Sequence, residues 1–196
     1  MDSDWIRVMA VAGLMLWMLF TWRGGRLLVR EIRRSLDANR FVDALAVAGG
    51  FSANLLNIAY ELGQRVWALP NYDLNLPGAV RLAGLALFTI SFAWVVWARR
   101  ILGRGWSVLP QDSHMQLYTN GPYSVVRHPI YAGAALAYAG LLLAQNNITG
   151  QIIFGSQIVG FVVKAAWEDQ FLSLEKGLNY QDYKNRVKWR LFPGLW

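Results

Sequence analysis

Tyr123, Arg127, His128, Pro129 and Tyr131 crowd into one stretch, GPYSVVRHPIY, residues 121–131. Each residue type has a distinct chemical use. An imidazole can exchange a proton near neutral pH. A guanidinium can hold a carboxylate or phosphate by two parallel contacts. Tyrosine faces attract cations. Pro129 suits the first turn of a helix, where its missing N–H costs nothing, and the free N–H groups of such a turn favour an anion. Two further clusters follow. Glu168-Asp169 is a carboxylate pair at the end of an apolar run, where it needs a cation, a proton or solvent. Tyr180, Tyr183, Arg186 and Arg190 recur at spacings of three and four, which would place them on shared faces if the tail is helical. Bland readings stand beside these: an interfacial anchor for Arg-His-Pro, a solvated helix end for the carboxylates, and an amphipathic helix on anionic lipid for the tail.

The elements that must position these residues belong to a membrane. Of 196 residues, 55% are hydrophobic and 16% charged, too apolar for an ordinary soluble domain. The apolar residues form long blocks, which read as spans. Ten tryptophans and eight tyrosines suit the aromatic belts of a bilayer protein. There is no cysteine and there are two histidines, so no metal is expected. The formal charge of +7 lies beside the apolar blocks, which points to the lipid surface rather than to nucleic acid. The blocks predict an all-α integral membrane bundle of about five helices: 5–22, 41–67, 78–102, then 131–145 and 152–166 as a final hairpin of two slightly short helices. One membrane domain, 1–196, is expected, with two N-terminal helices over 1–77 and a catalytic core over 78–196. Lys and Arg concentrate in 23–40, at 99–104 and in the tail. The positive-inside rule therefore puts the N-terminus outside and the C-terminus in the cytoplasm, together with the 103–130 loop. The membrane would be the inner or plasma membrane of a prokaryote, or the endoplasmic reticulum of a eukaryote.

Two faces should organise the bundle. Asn54, Asn57, Glu61 and Gln64 repeat at three, four and three, one helix face that should point inward and hydrogen-bond between helices. Gly133, Ala137, Gly140 and Ala144 form a small-residue face that allows close helix approach.

Taken in order, LGRGWS (102–107), His114, Leu117, GPYSVVRHPIYAG (121–133), Glu168-Asp169 and GLNYQDYKNRVKWRLFP (177–193) resemble the isoprenylcysteine carboxyl methyltransferase family, and more broadly the membrane methyltransferases that include phospholipid methyltransferases. The resemblance covers roughly 78–193. It implies that S-adenosylmethionine binds in the cytoplasmic half, lined by His114, Leu117, Gly121, Tyr123, His128, Pro129 and Tyr131, with Glu168 on its amino group and Asp169 beside it. It implies a lipophilic substrate entering sideways from the bilayer, near Tyr180 and Tyr183, with Arg127 or Arg190 holding its carboxylate. Two positions depart from the family pattern: Asp169 stands where a second glutamate is usual, and Lys176 precedes Gly177 where phenylalanine is usual.

Methyl transfer from a sulfonium to a carboxylate is an in-line displacement. A carboxylate is already ionised at neutral pH and needs no base, so the work is alignment and dehydration. Arg127, Glu168 and Arg190 are the residues expected to act there. An amine or phenol acceptor would need a base, for which Glu168, Asp169 or His128 would serve. Two competing readings are a sterol-type reductase using a reduced nicotinamide phosphate, whose C-terminal pattern is similar, and a non-catalytic membrane binding protein built on the Asn54-to-Gln64 stripe.

Overall fold

The computed structural model describes residues 4–32, 52–64, 67, 73–103 and 117–195, with the side chains of the first segment described over 5–21. Among these residues there are helices and no strand: α1 (Asp4–Ile32), α2 (52–64), α3 (Gly78–Leu102), a 3-10 turn (Gly121–Ser124), α4 (Pro129–Gln145) and α5 (Ile148–Arg186). The chain is thus an all-α bundle of membrane type. α3 and α5 are long and apolar enough to cross a bilayer, while Trp5–Thr21 and Pro129–Gln145 are shorter apolar helices.

α4 is the hub, and small residues are the reason. A Cβ on Gly140 would meet the Gly84 carbonyl oxygen at 2.5 Å and the Phe88 nitrogen at 2.6 Å; one on Gly84 would meet the Gly140 oxygen at 2.6 Å. The backbones of α3 and α4 therefore touch, as the small-residue face predicts. Lower down, Gly133 lies against Val95 and Trp94. Around this seam an aromatic cluster fills the core. Trp17 meets Tyr138 edge-on at 5.6 Å, and Tyr138 packs on Phe154 at 5.5 Å and on Phe161 at 5.6 Å.

The polar stripe of α2 faces inward as expected. Asn54 Nδ2 donates to the Tyr138 hydroxyl at 2.6 Å, Asn57 Oδ1 accepts from Gln145 Nε2 at 2.9 Å, and Glu61 accepts from Asn147 Nδ2. At that end of the bundle Asn146 ends α4 in the left-handed region (φ 60°) and Asn147 caps α5, accepting from the Gly150 N–H at 2.6 Å. The segment before α3 docks on this turn: Leu74 N–H donates to Asn146 O at 3.0 Å and Leu76 N–H to Asn146 Oδ1 at 2.8 Å. Arg7 of α1 pairs with Asp73 there. The loop before α3 and the α4–α5 turn thus share one end, and the Arg-His segment and the tail share the other.

The final hairpin differs from expectation in length. α5 does not stop with its apolar run at Ala166 but continues through Glu168 and Asp169 to Arg186, 39 residues in all. The change from apolar to charged side chains changes the surroundings, not the backbone: WEDQFLSLEK contains no helix breaker. The break comes at Gly177 (φ 51°, ψ −125°), which kinks the helix, a conformation that glycine alone adopts freely.

Candidate functional site at the mouth of α4

The site begins where sequence predicts a helix N-terminus. Gly121 turns the chain in the left-handed region (φ 59°), the 3-10 turn follows, and Pro129 opens α4 with His128 as N-cap. Arg127 and His128 are then locked by the returning tail. Arg127 N–H donates to Trp189 O at 2.9 Å and His128 N–H to Arg190 O at 3.0 Å. The Arg127 Nη1 reaches two more carbonyls, Val187 O at 2.8 Å and Lys188 O at 2.7 Å. Four consecutive tail carbonyls therefore rest on two residues of the Arg-His-Pro segment. No side-chain pattern announces this, because the acceptors are backbone atoms.

Asp169 lies at the centre of the ionic contacts. It is 4% exposed. Its Oδ1 accepts from Arg127 Nε at 2.9 Å and from the Tyr180 hydroxyl at 2.7 Å, and stands 3.2 Å from His128 Nε2. Its Oδ2 accepts from Arg190 Nη2 at 3.2 Å and Arg127 Nη2 at 3.4 Å. Burial alone would raise this carboxyl, but hydrogen bonds from His128, Arg127 and Tyr180 outweigh it and hold Asp169 well below the usual carboxylate range. It lies beyond the apolar part of α5 and remains ionised.

Glu168 stands next to it with different company. The Tyr131 hydroxyl donates to its Oε2 at 2.6 Å, and the residue is part-exposed. Tyr131 also stacks on Phe161, with centroids 6.4 Å apart, and leans on His128 at 6.0 Å. Tyr123 is 8% exposed, and its hydroxyl is buried with no hydrogen-bond partner among the described residues. Burial, then the nearby Glu168 charge, pushes its phenol far above the ordinary value, so it stays a neutral donor. Tyr183 donates to the Tyr123 carbonyl at 2.6 Å. Tyr180 and Tyr183, 1% and 2% exposed, pack with Val187 and Leu117 as the inner wall. Burial raises both phenols as well.

The structure thus brings together Leu117, Gly121, Tyr123, Arg127, His128, Pro129, Tyr131, Glu168, Asp169, Tyr180, Tyr183 and Arg190 from three separate stretches of sequence. His114, and 104–107 of the LGRGWS motif, lie outside the described residues. Arg127 is 9% exposed at its side chain and spends its donors on Asp169 and the tail; Arg190 is 22% exposed. Phe161, which extends the Tyr131 wall, carried no signal beyond its place in an apolar run. Among the described residues no group of three or more potential metal ligands occurs.

No curated protein matches the chain. The phospholipid methyltransferase family matches residues 80–175, a span holding α3, α4, the Arg-His-Pro segment and the Glu168-Asp169 pair. That match implies membrane methyltransferase activity and agrees with the motif resemblance. Over residues 80–175, just under half of its length, the chain is similar to the phospholipid methyltransferase family.

Proposed function

We propose that this protein transfers a methyl group from S-adenosylmethionine to a lipophilic acceptor at the cytoplasmic rim of the bilayer. The observation that carries the reading is the grouping of a part-exposed carboxylate, Glu168, with the partnerless buried hydroxyl of Tyr123 at the mouth of α4. A buried hydroxyl without a partner costs free energy unless a ligand completes it. The cofactor, when bound, supplies an electrophilic methyl group on a sulfonium. Its other groups match this donor set. Glu168 would hold the ammonium, and the free N–H groups opening α4 would meet the carboxylate. The faces of Tyr131 and Tyr123 suit a sulfonium. His128, Pro129, Gly121 and Leu117 complete the lining.

The acceptor proposed is the carboxylate of a prenylcysteine-like lipid, held by Arg190. Arg127, committed to Asp169 and the tail carbonyls, would shape the site without touching substrate. Tyr180 and Tyr183 would back the substrate from the inner wall. Such an acceptor is already a nucleophile, so this chain's part is to orient and dehydrate it. A second acceptor class, a lipid amine, is favoured by the name of the matching family. It would have to lose a proton, and Glu168 is the part-exposed carboxylate at hand.

One experiment tests both levels. Purified protein in lipid nanodiscs is incubated with methyl-labelled S-adenosylmethionine and native lipid extract, and labelled products are identified. A labelled lipid supports methyl transfer; a folded protein that labels nothing and binds no cofactor overturns it. Release of labelled methanol in mild alkali marks a methyl ester and a carboxylate acceptor, whereas an alkali-stable label marks an amine.

A further inference from the structure

The two adjacent carboxylates differ in what they have left to offer. An ionised carboxylate only accepts, with about four lone-pair sites over its two oxygens. Asp169 already receives five contacts from four residues: Arg127 twice, His128, Tyr180 and Arg190. It has no site left for a ligand's ammonium. Glu168 accepts one hydrogen bond, from Tyr131. Successive residues of a helix point about 100° apart, so one carboxylate can face the protein while the other faces a ligand.

The contact with His128 has a further consequence. Oδ1 of an ionised Asp169 cannot donate, so the hydrogen between it and His128 Nε2, 3.2 Å apart, must sit on the imidazole. In the neutral ring, Nδ1 then carries the lone pair. Nδ1 makes no hydrogen bond among the described residues, and the ring lies beside Tyr131 at the mouth of α4.

We propose that Asp169 is a positioning residue: it locks His128 in the Nε2–H tautomer, presents Nδ1 as an acceptor for an N–H or O–H of the bound ligand, and leaves Glu168 as the ligand-facing carboxylate. The ligand part of this rests on the methyltransferase reading; the tautomer does not. The charged and titratable groups around the pair are Arg127 from the Arg-His segment, Tyr131 from α4, Glu168, Tyr180 and Tyr183 from α5, and Arg190 from the tail. Arg127, Tyr180 and Arg190 contact Asp169 directly.

The tautomer is measured directly by nitrogen-15 NMR of labelled histidine in nanodiscs, at mildly alkaline pH. The chain has two histidines, and the signals missing from His128→Asn identify those of His128. A pyridine-like Nδ1 with a protonated Nε2 is expected in the unaltered chain. The opposite tautomer, or a rapidly averaging mixture, overturns the proposal whether or not any variant folds. Asp169→Asn should lose the preference; if it keeps a pure Nε2–H ring, Asp169 is not what fixes it. S-adenosylmethionine binding supplies the second arm. His128→Asn keeps an amide near the Nδ1 position and His128→Gln keeps one near Nε2, so the Asn variant should bind about tenfold tighter than the Gln variant, the scale of one hydrogen bond left unmade in a buried place. Equal losses would overturn the ligand-facing role of Nδ1. If the unaltered chain binds no cofactor, the methyltransferase reading fails, and the tautomer measurement still decides the role of Asp169.

Discussion

Adjacent acidic residues in this chain should respond to mutation in opposite ways. Asp169→Ala leaves two guanidiniums, an imidazole and a phenol without their shared acceptor in a buried place. Loss of one partner from a buried ionic cluster costs about 3–5 kcal/mol, so a large fall in thermal unfolding midpoint is expected in detergent. Glu168→Gln keeps an oxygen for the Tyr131 hydroxyl, so its midpoint should barely move. Cofactor affinity should instead fall by about tenfold or more, as one charge-assisted contact to an ammonium becomes neutral. A titration calorimeter and a melting curve on the two variants check both halves. Acid gives an independent reading of Asp169. Its folded carboxyl lies below the ordinary 3.8, so the stabilisation it brings is complete at neutral pH. That stabilisation is lost as pH falls from the ordinary value toward the lowered one. Melting midpoints should therefore drop below about pH 4, and Asp169→Asn should lose that part of the acid sensitivity.

At the scale of elements, the contact of α3 with α4 and the open face of α5 make a matched pair of tests. Gly140→Ala would put a methyl 2.5 Å from the Gly84 oxygen and force two backbones apart. Overpacking of this kind costs about 1–3 kcal/mol. Gly160 has nothing within 4 Å of its added Cβ, so Gly160→Ala should be neutral or should stabilise by up to about 1 kcal/mol through helix propensity. Equal effects in chemical unfolding would mean that α3 and α4 do not touch as described. The close face was legible in the sequence because small residues at helical spacing have one dominant use in a bundle. The stripe Asn54, Asn57, Glu61 and Gln64 was legible for a related reason: amides in an apolar helix must find partners inside. The partners themselves were not legible. Gln145 and Asn147 sit at a turn where polar residues are ordinary, yet Asn147 is fully buried between Glu61 and the Gly150 N–H. The length of α5 was misread because a change of solvent resembles the end of a helix; Gly177, the true break, lies eleven residues beyond the end of the apolar run at Ala166.

Across the whole molecule the bundle is fastened at two ends by different means. At one end side-chain amides and the Arg7–Asp73 pair tie α1, α2 and the loop before α3 to the α4–α5 turn. At the other the chain's own tail crosses the mouth of α4 through four backbone carbonyls. Motif spacing made the residues of this second end legible, and the distribution of Lys and Arg grouped the loop with the tail, but main-chain pairing leaves no trace in residue type. The two fastenings should therefore come apart experimentally. Removing residues 187–196 deletes the four acceptors and Arg190 while leaving every contact of Gly84, Gly140 and the α2 stripe in place. Arg127 then keeps Asp169 but loses the carbonyls that fix its backbone. The shortened chain should retain its helical content and most of its unfolding free energy, because the α3–α4 seam and the aromatic core lie elsewhere. Its cofactor binding should fall below detection, since the wall beside His128 and the register of the Arg-His segment both depend on the tail. Circular dichroism with a binding titration on the same sample separates the outcomes. Full affinity without the tail would show that the mouth of α4 organises itself, whereas collapse of the helical signal would make the tail part of the bundle's own stability rather than a wall added to it.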